Sequence, residues 1–221
     1  MISAVVREVL AHFDAQRDRY IAASSAIEFD IARQHANILV QQANKCEDTS
    51  GAARDRYMED NLDWYMARRP GVKVMIWAHN GHIAMEPDPS RPLGRHLKDR
   101  HGNSYVSIGF VLGSGSYRAL DTRNTPIARH PRSATFTFGP PPARTLNALM
   151  AATGIDILAV DLRSAEGRTR KLLERRLRVR EGAGVVGQGD PLNTIKRSLP
   201  ATHDLLIFID HTTPARPIRL R

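Results

Sequence analysis

The spacing of apolar residues changes near residue 70, and this change constrains the fold more than any other feature of the sequence. Before it, apolar residues recur at intervals of three and four over residues 2–10 and 27–39, which indicates amphipathic helices. A third helix is expected over 52–68, where Pro70 and Gly71 follow its last turn as helix breakers typically do. The pattern therefore predicts a helical segment over residues 1–70.

After residue 71 the apolar residues form short continuous runs, which are typical of strands covered on both faces of a sheet. Four such runs occur, at residues 72–78, 105–111, 155–161 and 204–210. Helical patterns at residues 94–101 and 143–152 separate them, and residues 123–144 have the prolines of an irregular stretch. The alternation predicts an α/β fold with a mostly parallel or mixed sheet flanked by helices. We expect residues 71–221 to form the sheet portion of the same domain as residues 1–70.

Composition excludes several classes of protein. The single cysteine, Cys46, rules out an internal disulfide and any thiolate cluster for zinc or iron–sulfur. No apolar run is long enough for a membrane helix, and we expect a cytoplasmic location. The net charge of +9 includes a basic run over 168–180, but no aromatic residue is interleaved for base stacking. We therefore expect a solvated face there and no binding of nucleic acid.

The chemistry-bearing residues cluster directly after the run 72–78, in the segment His79-Asn80-Gly81-His82. In open α/β sheets ligands bind beyond the carboxyl ends of strands, so these histidines are well placed for a site. A neutral imidazole can act as general base, general acid or oxyanion donor near neutral pH. In the alternative interpretation, one histidine only caps a helix or satisfies a buried carbonyl.

A metal site is the other alternative at this segment. The spacing His-x-x-His needs at least one further ligand, and Glu86 and Asp88 are the nearest carboxylates. Nothing in the sequence fixes either carboxylate beside the histidines. We therefore predict a site without a metal and without a cofactor.

Five motifs follow one another in order: Arg54-Asp55-x-x-Met58-x-x-Asn61-x-x-Trp64, Val74 to His82, Leu93-Gly94-x-His96-Leu97, Gly102-x-x-Tyr105-Val106-x-Ile108-Gly109-Phe110, and Phe208 to Pro217. Together they resemble the erythromycin esterase-like family over most of residues 54–217. The resemblance implies a metal-independent hydrolase in which a histidine-activated water opens a carboxylic ester or macrolactone, with a role in resistance to macrolide antibiotics. The implied partner is a small-molecule ester.

The resemblance also assigns site residues. His79 and His82 match the second pair of site histidines of the family, which polarise or protonate the ester oxygen or hold the water. Asn80, Arg54 and Asn61 match positions that support the site or bind substrate. For Asn61 the alternative is a structural role that ties its helix to the sheet.

The sequence departs from the family in one respect: no Gly-Glu-x-x-His-Gly motif, which carries the general base of the family, occurs in its 221 residues. We therefore expect a truncated domain with half of an active site, inactive alone and completed by a missing N-terminal half or an upstream chain. The alternative function is a non-catalytic α/β module that binds a ligand or a partner.

Overall fold

The structure is a computed structural model of the chain. It describes residues 2–48, 52–86, 91–126, 129–182, 185–186 and 193–216. The chain forms two compact units. Unit 1 comprises Met1–Val74 with Asp88–Leu93, and unit 2 comprises Met75–Pro87 with Gly94–Arg221. The predicted boundary at residue 70, and the assignment of both parts to one domain, stay predictions.

Unit 1 is built from helices, as the apolar spacing predicts. They are α1 (Ile2–Ala15), α2 (Arg17–Ala23), α3 (Ala26–Glu47) and α4 (Ala52–Ala67). Ser25 begins α3, because its hydroxyl accepts a hydrogen bond from the amide of Glu28 and satisfies one free donor of the first turn. Arg33 on α3 binds both carboxylate oxygens of Asp14 on α1, which joins the two helices and lowers the pKa of that carboxyl. Across the described ranges, every helix is too short or too polar to traverse a lipid bilayer.

The rest of the described chain forms a mixed sheet with helices and a two-stranded ribbon. The helices are α5 (Asn80–Ile83), α6 (Leu93–His101), α7 (Leu146–Ala151), α8 (Gly167–Glu174) and α9 (Leu199–Thr202). The strands are β1 (Ile108–Asp121), β2 (Ser133–Phe138), β3 (Ile157–Asp161), β4 (Leu177–Glu181), β5 (Val185–Val186), β6 (Asn193–Arg197) and β7 (Leu205–Thr212). The sheet has the order β2-β1-β7-β3 with β5 beside β1, and β4 and β6 form the ribbon. Strand β1 is parallel to β7 and β5 and antiparallel to β2, and β3 is antiparallel to β7, so the predicted fold class is confirmed.

The two faces of the sheet differ in their burial. Val111 of β1 and Phe208 of β7 are at most 1% exposed, because α7, α8 and α9 pack over them. The register places Phe110 beside Ile207 on the opposite face, where both side chains are only half-buried. Ile157 of β3, on that same face, is 68% exposed. The continuous apolar pattern therefore overstates the burial of this second face.

Most of the predicted elements are present. The helices predicted over 94–101 and 143–152 appear as α6 and α7, and three predicted strands appear as β1, β3 and β7. Strand β1 begins at Ile108 and continues to Asp121, well beyond the predicted end at residue 111. Its extension pairs with β2, which lies in the stretch 123–144 that was expected to be irregular.

The prediction of a buried strand over 72–78 is wrong. The segment has no strand assignment, and Met75 and Trp77 are 88% and 83% exposed. An apolar run becomes a strand only where a neighbouring strand takes up its backbone hydrogen bonds. No described residue does so for residues 73–78.

Candidate active site at the histidine turn

The two predicted histidines lie at the short helix α5, with His79 directly before it and His82 within it. His79 precedes α5 with an extended backbone, and its Nδ1 accepts a hydrogen bond from the amide of Gly81 at 3.1 Å. The carbonyl of His79 accepts from the amides of His82 and Ile83, which closes the turn. Gly81 suits this cap, because a Cβ there would lie 3.2 Å from Nδ1 of the imidazole. The capping role considered from the sequence is therefore present at His79.

The second ring nitrogen of His79 is engaged as well. Its Nε2 lies 2.7 Å from the carbonyl oxygen of Gly182. Because Nδ1 accepts a hydrogen bond, the neutral ring carries its proton on Nε2 and donates it to this carbonyl. The exposed imidazole is thus held in one tautomer and one orientation.

Asn80 fixes the beginning of α5 against β1. Its side-chain amide donates to the carbonyl of Phe110 at 2.6 Å, and its Oδ1 accepts from the amide of Phe110 at 3.0 Å. Both backbone groups of Phe110 are therefore satisfied by one side chain, in the way that a neighbouring strand would satisfy them. Asn80 accordingly supports the turn through the sheet.

The end of α5 is fixed through the carbonyl of Ile83, which accepts hydrogen bonds from the hydroxyls of Tyr105 and Ser107 at 2.8 Å each. Burial raises the pKa of Tyr105 to about 12, so this hydroxyl keeps its proton and remains a donor. His82 directly precedes Ile83 and is half-buried. The structure thus brings His79, Asn80 and His82 together on one turn that is held at both ends.

Three buried polar residues, Ser107, His203 and Asp204, are connected to this turn through the carbonyl of Ile83. Because Ser107 donates its hydroxyl proton to Ile83, its oxygen accepts the proton on Nδ1 of His203, 2.9 Å away. Burial, together with the nearby charge of Arg197, lowers the pKa of His203 to about 4. Asp204 accepts a hydrogen bond from the amide of Ser107 and not from the imidazole. The group therefore lacks the connectivity of a serine hydrolase triad and serves as structural support.

A cluster of three charged residues near Gly182 and α5 was not predicted from the sequence. Arg197 on β6 forms ion pairs with Glu181, which directly precedes Gly182, and with Glu86 just after α5. The side chains are between 8% and 19% exposed, so the charges satisfy one another in a largely buried cluster. No spacing in the sequence joins positions 86, 181 and 197.

Asn147 was also missed. It is 0% exposed and donates to the carbonyls of Leu112 and Arg180 at 2.8 and 2.9 Å. Its Oδ1 accepts from the amide of Arg180 at 2.8 Å. One side chain therefore ties the ribbon to β1, close to the end of β4 that leads into Gly182.

The remaining predicted site residues, Arg54 and Asn61, lie on α4 in unit 1. Arg54 is exposed. Asn61 accepts a hydrogen bond from Gln34 at 2.7 Å and donates one to Gln41 at 2.9 Å, so it ties α4 to α3. Together with Trp64 it also lines an open cleft of about 1050 Å³ within unit 1.

The alternative of a metal site requires at least one further ligand, such as a carboxylate, beside the two histidines of the turn. In the part of the chain that the structure describes, no group of three or more histidine, cysteine, aspartate or glutamate side chains is arranged to hold a metal ion. Glu86 binds Arg197, and Asp88 lies outside the described residues. The turn itself carries the imidazoles of His79 and His82, and the side chains of His79 and Asn80 already make hydrogen bonds within the chain.

The chain is an α/β protein with a candidate site at a turn that carries two histidines beside strand β1. Its similarity to known proteins identifies the family. The family model for erythromycin esterase matches residues 2–212. The chain therefore belongs to the erythromycin esterase family. Erythromycin esterase type II from Escherichia coli is 35% identical over 75 residues, which are 31% of this chain and 18% of that protein.

Three solved structures share the fold over 95% of this chain. A Bacillus cereus protein has a TM-score of 0.75 at 23% identity, and a succinoglycan biosynthesis protein has 0.73 at 19%. A mutant of the erythromycin esterase EreC in its open conformation has 0.64 at 14% identity. The chain covers 51%, 49% and 52% of these structures, so it spans about half of their length.

Proposed function

We propose that this chain is part of a hydrolase that opens a carboxylic ester or macrolactone by means of histidine-activated water, without a metal. Membership in the erythromycin esterase family supports the reaction class. The observation that carries the proposal is the fixed turn α5, in which two histidines are held beside β1 by side-chain hydrogen bonds. A cytoplasmic location and a role in macrolide resistance belong to the same proposal.

In the proposed reaction, water attacks the carbonyl carbon of the ester while a base removes one of its protons. The bond from that carbon to the leaving oxygen then breaks as the leaving oxygen takes a proton. We assign to His82 the contact with the ester, where it polarises the carbonyl oxygen or protonates the leaving oxygen. His79 is assigned a positioning role, because both of its ring nitrogens already make hydrogen bonds within the chain.

The base that takes the proton from water is not assigned to these 221 residues, because the Gly-Glu-x-x-His-Gly motif is absent from them. We propose that polypeptide corresponding to the other half of the related structures supplies it, and that these residues alone are inactive. Arg54, exposed on α4, is proposed to bind the substrate or support the site, and Asn61 to hold α4 in place for it.

Erythromycin hydrolysis, followed by mass spectrometry, tests the proposal. The assay compares the chain alone with the chain co-expressed with the segment of the Bacillus cereus relative that it does not cover, which we call the complementary segment. We expect turnover only from the co-expressed pair, with kcat lowered about 100-fold by His82→Ala, as for loss of an acid–base group. His79→Ala is expected to have a smaller effect, of about 10-fold, because it disturbs orientation only.

His211→Ala is the matched control, since His211 is an exposed histidine at the end of β7 in the same unit. The site assignment is wrong if activity survives both His79→Ala and His82→Ala unchanged. Turnover by the chain alone would contradict the incomplete site. A folded pair that hydrolyses no ester would favour the non-catalytic module, for which the hydrogen bonds that already occupy His79 are the supporting observation.

A further inference from the structure

The segment over residues 75–78, which directly precedes the histidine turn, lies in neither a helix nor a strand. Its amides and carbonyls make no hydrogen bond to any residue that the structure describes. Its side chains alternate in the manner of a strand, with Met75 and Trp77 exposed and Ile76 and Ala78 half-buried. Unpaired backbone of this kind is a template for pairing with another strand.

The segment is also fixed in position, which a disordered linker would not be. The ring of Trp77 packs against that of Phe110 on β1, with 5.5 Å between the ring centroids. Asn80, two residues beyond the segment, is bonded to both backbone groups of Phe110. A strand that paired here would therefore meet a preformed edge and lose little freedom in ordering it.

Two other edges of the described sheet are less suited to pairing. On the part of β1 ahead of Gly115, where its pairing with β2 begins, the carbonyls of Phe110 and Leu112 are already taken by Asn80 and Asn147. Strand β3 carries an exposed salt bridge at its end, between Asp161 and Arg163, and charges at an edge oppose strand addition. Residues 75–78 contain no charged side chain at all.

We propose that residues 75–78 pair with a β-strand from the polypeptide that corresponds to the other half of the related structures. The proposal rests on the proposed function, which already requires that polypeptide to complete the site. The related structures are long enough to supply this strand, because they align with 95% of this chain and carry about as much chain again. Because His79 directly follows the segment, the pairing brings the added strand to the histidine turn.

Hydrogen exchange followed by mass spectrometry tests the pairing in the chain alone and in the chain co-expressed with the tagged complementary segment. We expect copurification of the two polypeptides and at least tenfold slower exchange of the amides of residues 75–78 in the pair. The double variant Met75→Lys with Trp77→Lys should abolish copurification, because it places two charges on the pairing edge. Leu149→Lys is the control, since Leu149 is 54% exposed on α7, which covers the opposite face of the sheet.

Main-chain hydrogen bonds supply most of the affinity in strand addition, so sequence divergence of the complementary segment is tolerated. The pairing is therefore overturned by failure to copurify, by unchanged exchange at residues 75–78, or by copurification that survives the double lysine variant. A dimer of the chain alone in light scattering, with these amides protected, would assign the edge to a second copy and also overturn it. All these readouts report binding, so a pair that forms normally but lacks hydrolysis contradicts only the proposed function.

Discussion

The buried imidazole of His203 makes the stability of unit 2 depend on pH. The ring is 2% exposed, and its Nδ1 proton is donated to Ser107, which in turn holds the carbonyl of Ile83 at the end of α5. Protonation of the ring would place a second cation in this buried region near Arg197. The folded state therefore resists protonation, whereas the unfolded chain takes up the proton at the ordinary histidine pKa of 6.5.

Whether the free energy of unfolding rises or falls with pH depends on which state, folded or unfolded, binds the proton. Above pH 6.5 the imidazole is neutral in both states, and the stability of the neutral form is fully present. Between pH 6.5 and the folded pKa of about 4 only the unfolded state binds the proton, so stability falls as the pH falls. The difference between the two pKa values corresponds to about 3 kcal/mol, most of which is lost by pH 4.5.

Urea unfolding at a series of pH values between 4.5 and 7.5 measures this loss. Other groups also titrate in this range, so the comparison is with His203→Asn, whose amide can keep the hydrogen bond to Ser107 without titrating. We expect the free energy of unfolding of the parent chain to fall by about 2–3 kcal/mol more than that of the variant. Parallel curves for the two proteins would refute the assignment of a buried neutral imidazole at this position.

Two further substitutions test the contacts that hold the histidine turn. Asn147→Leu leaves the carbonyls of Leu112 and Arg180 and one amide without partners, so we expect more than about 3 kcal/mol of lost stability in urea unfolding; a cost below 1 kcal/mol would contradict the contacts. Gly94→Ala would place a Cβ 2.1 Å from the carbonyl of Ile83, and we expect a loss of about 1–3 kcal/mol, whereas Gly139→Ala, with open space around it, should be neutral in the same assay.

The parts of the fold that the sequence predicts are those that depend on neighbouring residues. Apolar spacing predicts α3 and α4, and continuous runs predict β3 and β7, because each pattern depends on residues that are close in the sequence. The patterns do not report burial, since Ile27 of α3 and Ile157 of β3 are 73% and 68% exposed. The run 72–78 has the same local pattern as a strand, but strand formation needs a partner for its backbone, which no local pattern reports.

The candidate site shows the same division between local and distant contacts. The capping of α5 by the side chain of His79, which accepts a hydrogen bond from the amide of Gly81, could be predicted, because the two residues are neighbours in a turn sequence. The bond from His79 to Gly182 joins residues 103 positions apart, and the ion pair of Arg197 with Glu86 joins residues 111 apart. Asn147 carries no sequence signal, since an asparagine in a short helix has many possible roles.

The attachment of the ribbon through Asn147 links local unfolding to the orientation of His79. The ribbon is a separate two-stranded sheet, and two strands alone have little stability of their own in water. Its β4 strand leads into the carbonyl that orients the imidazole. If the ribbon frays as a cooperative unit, the imidazole loses its acceptor at the same moment, so the opening free energy of β4 sets the fraction of molecules in which the ring is aligned.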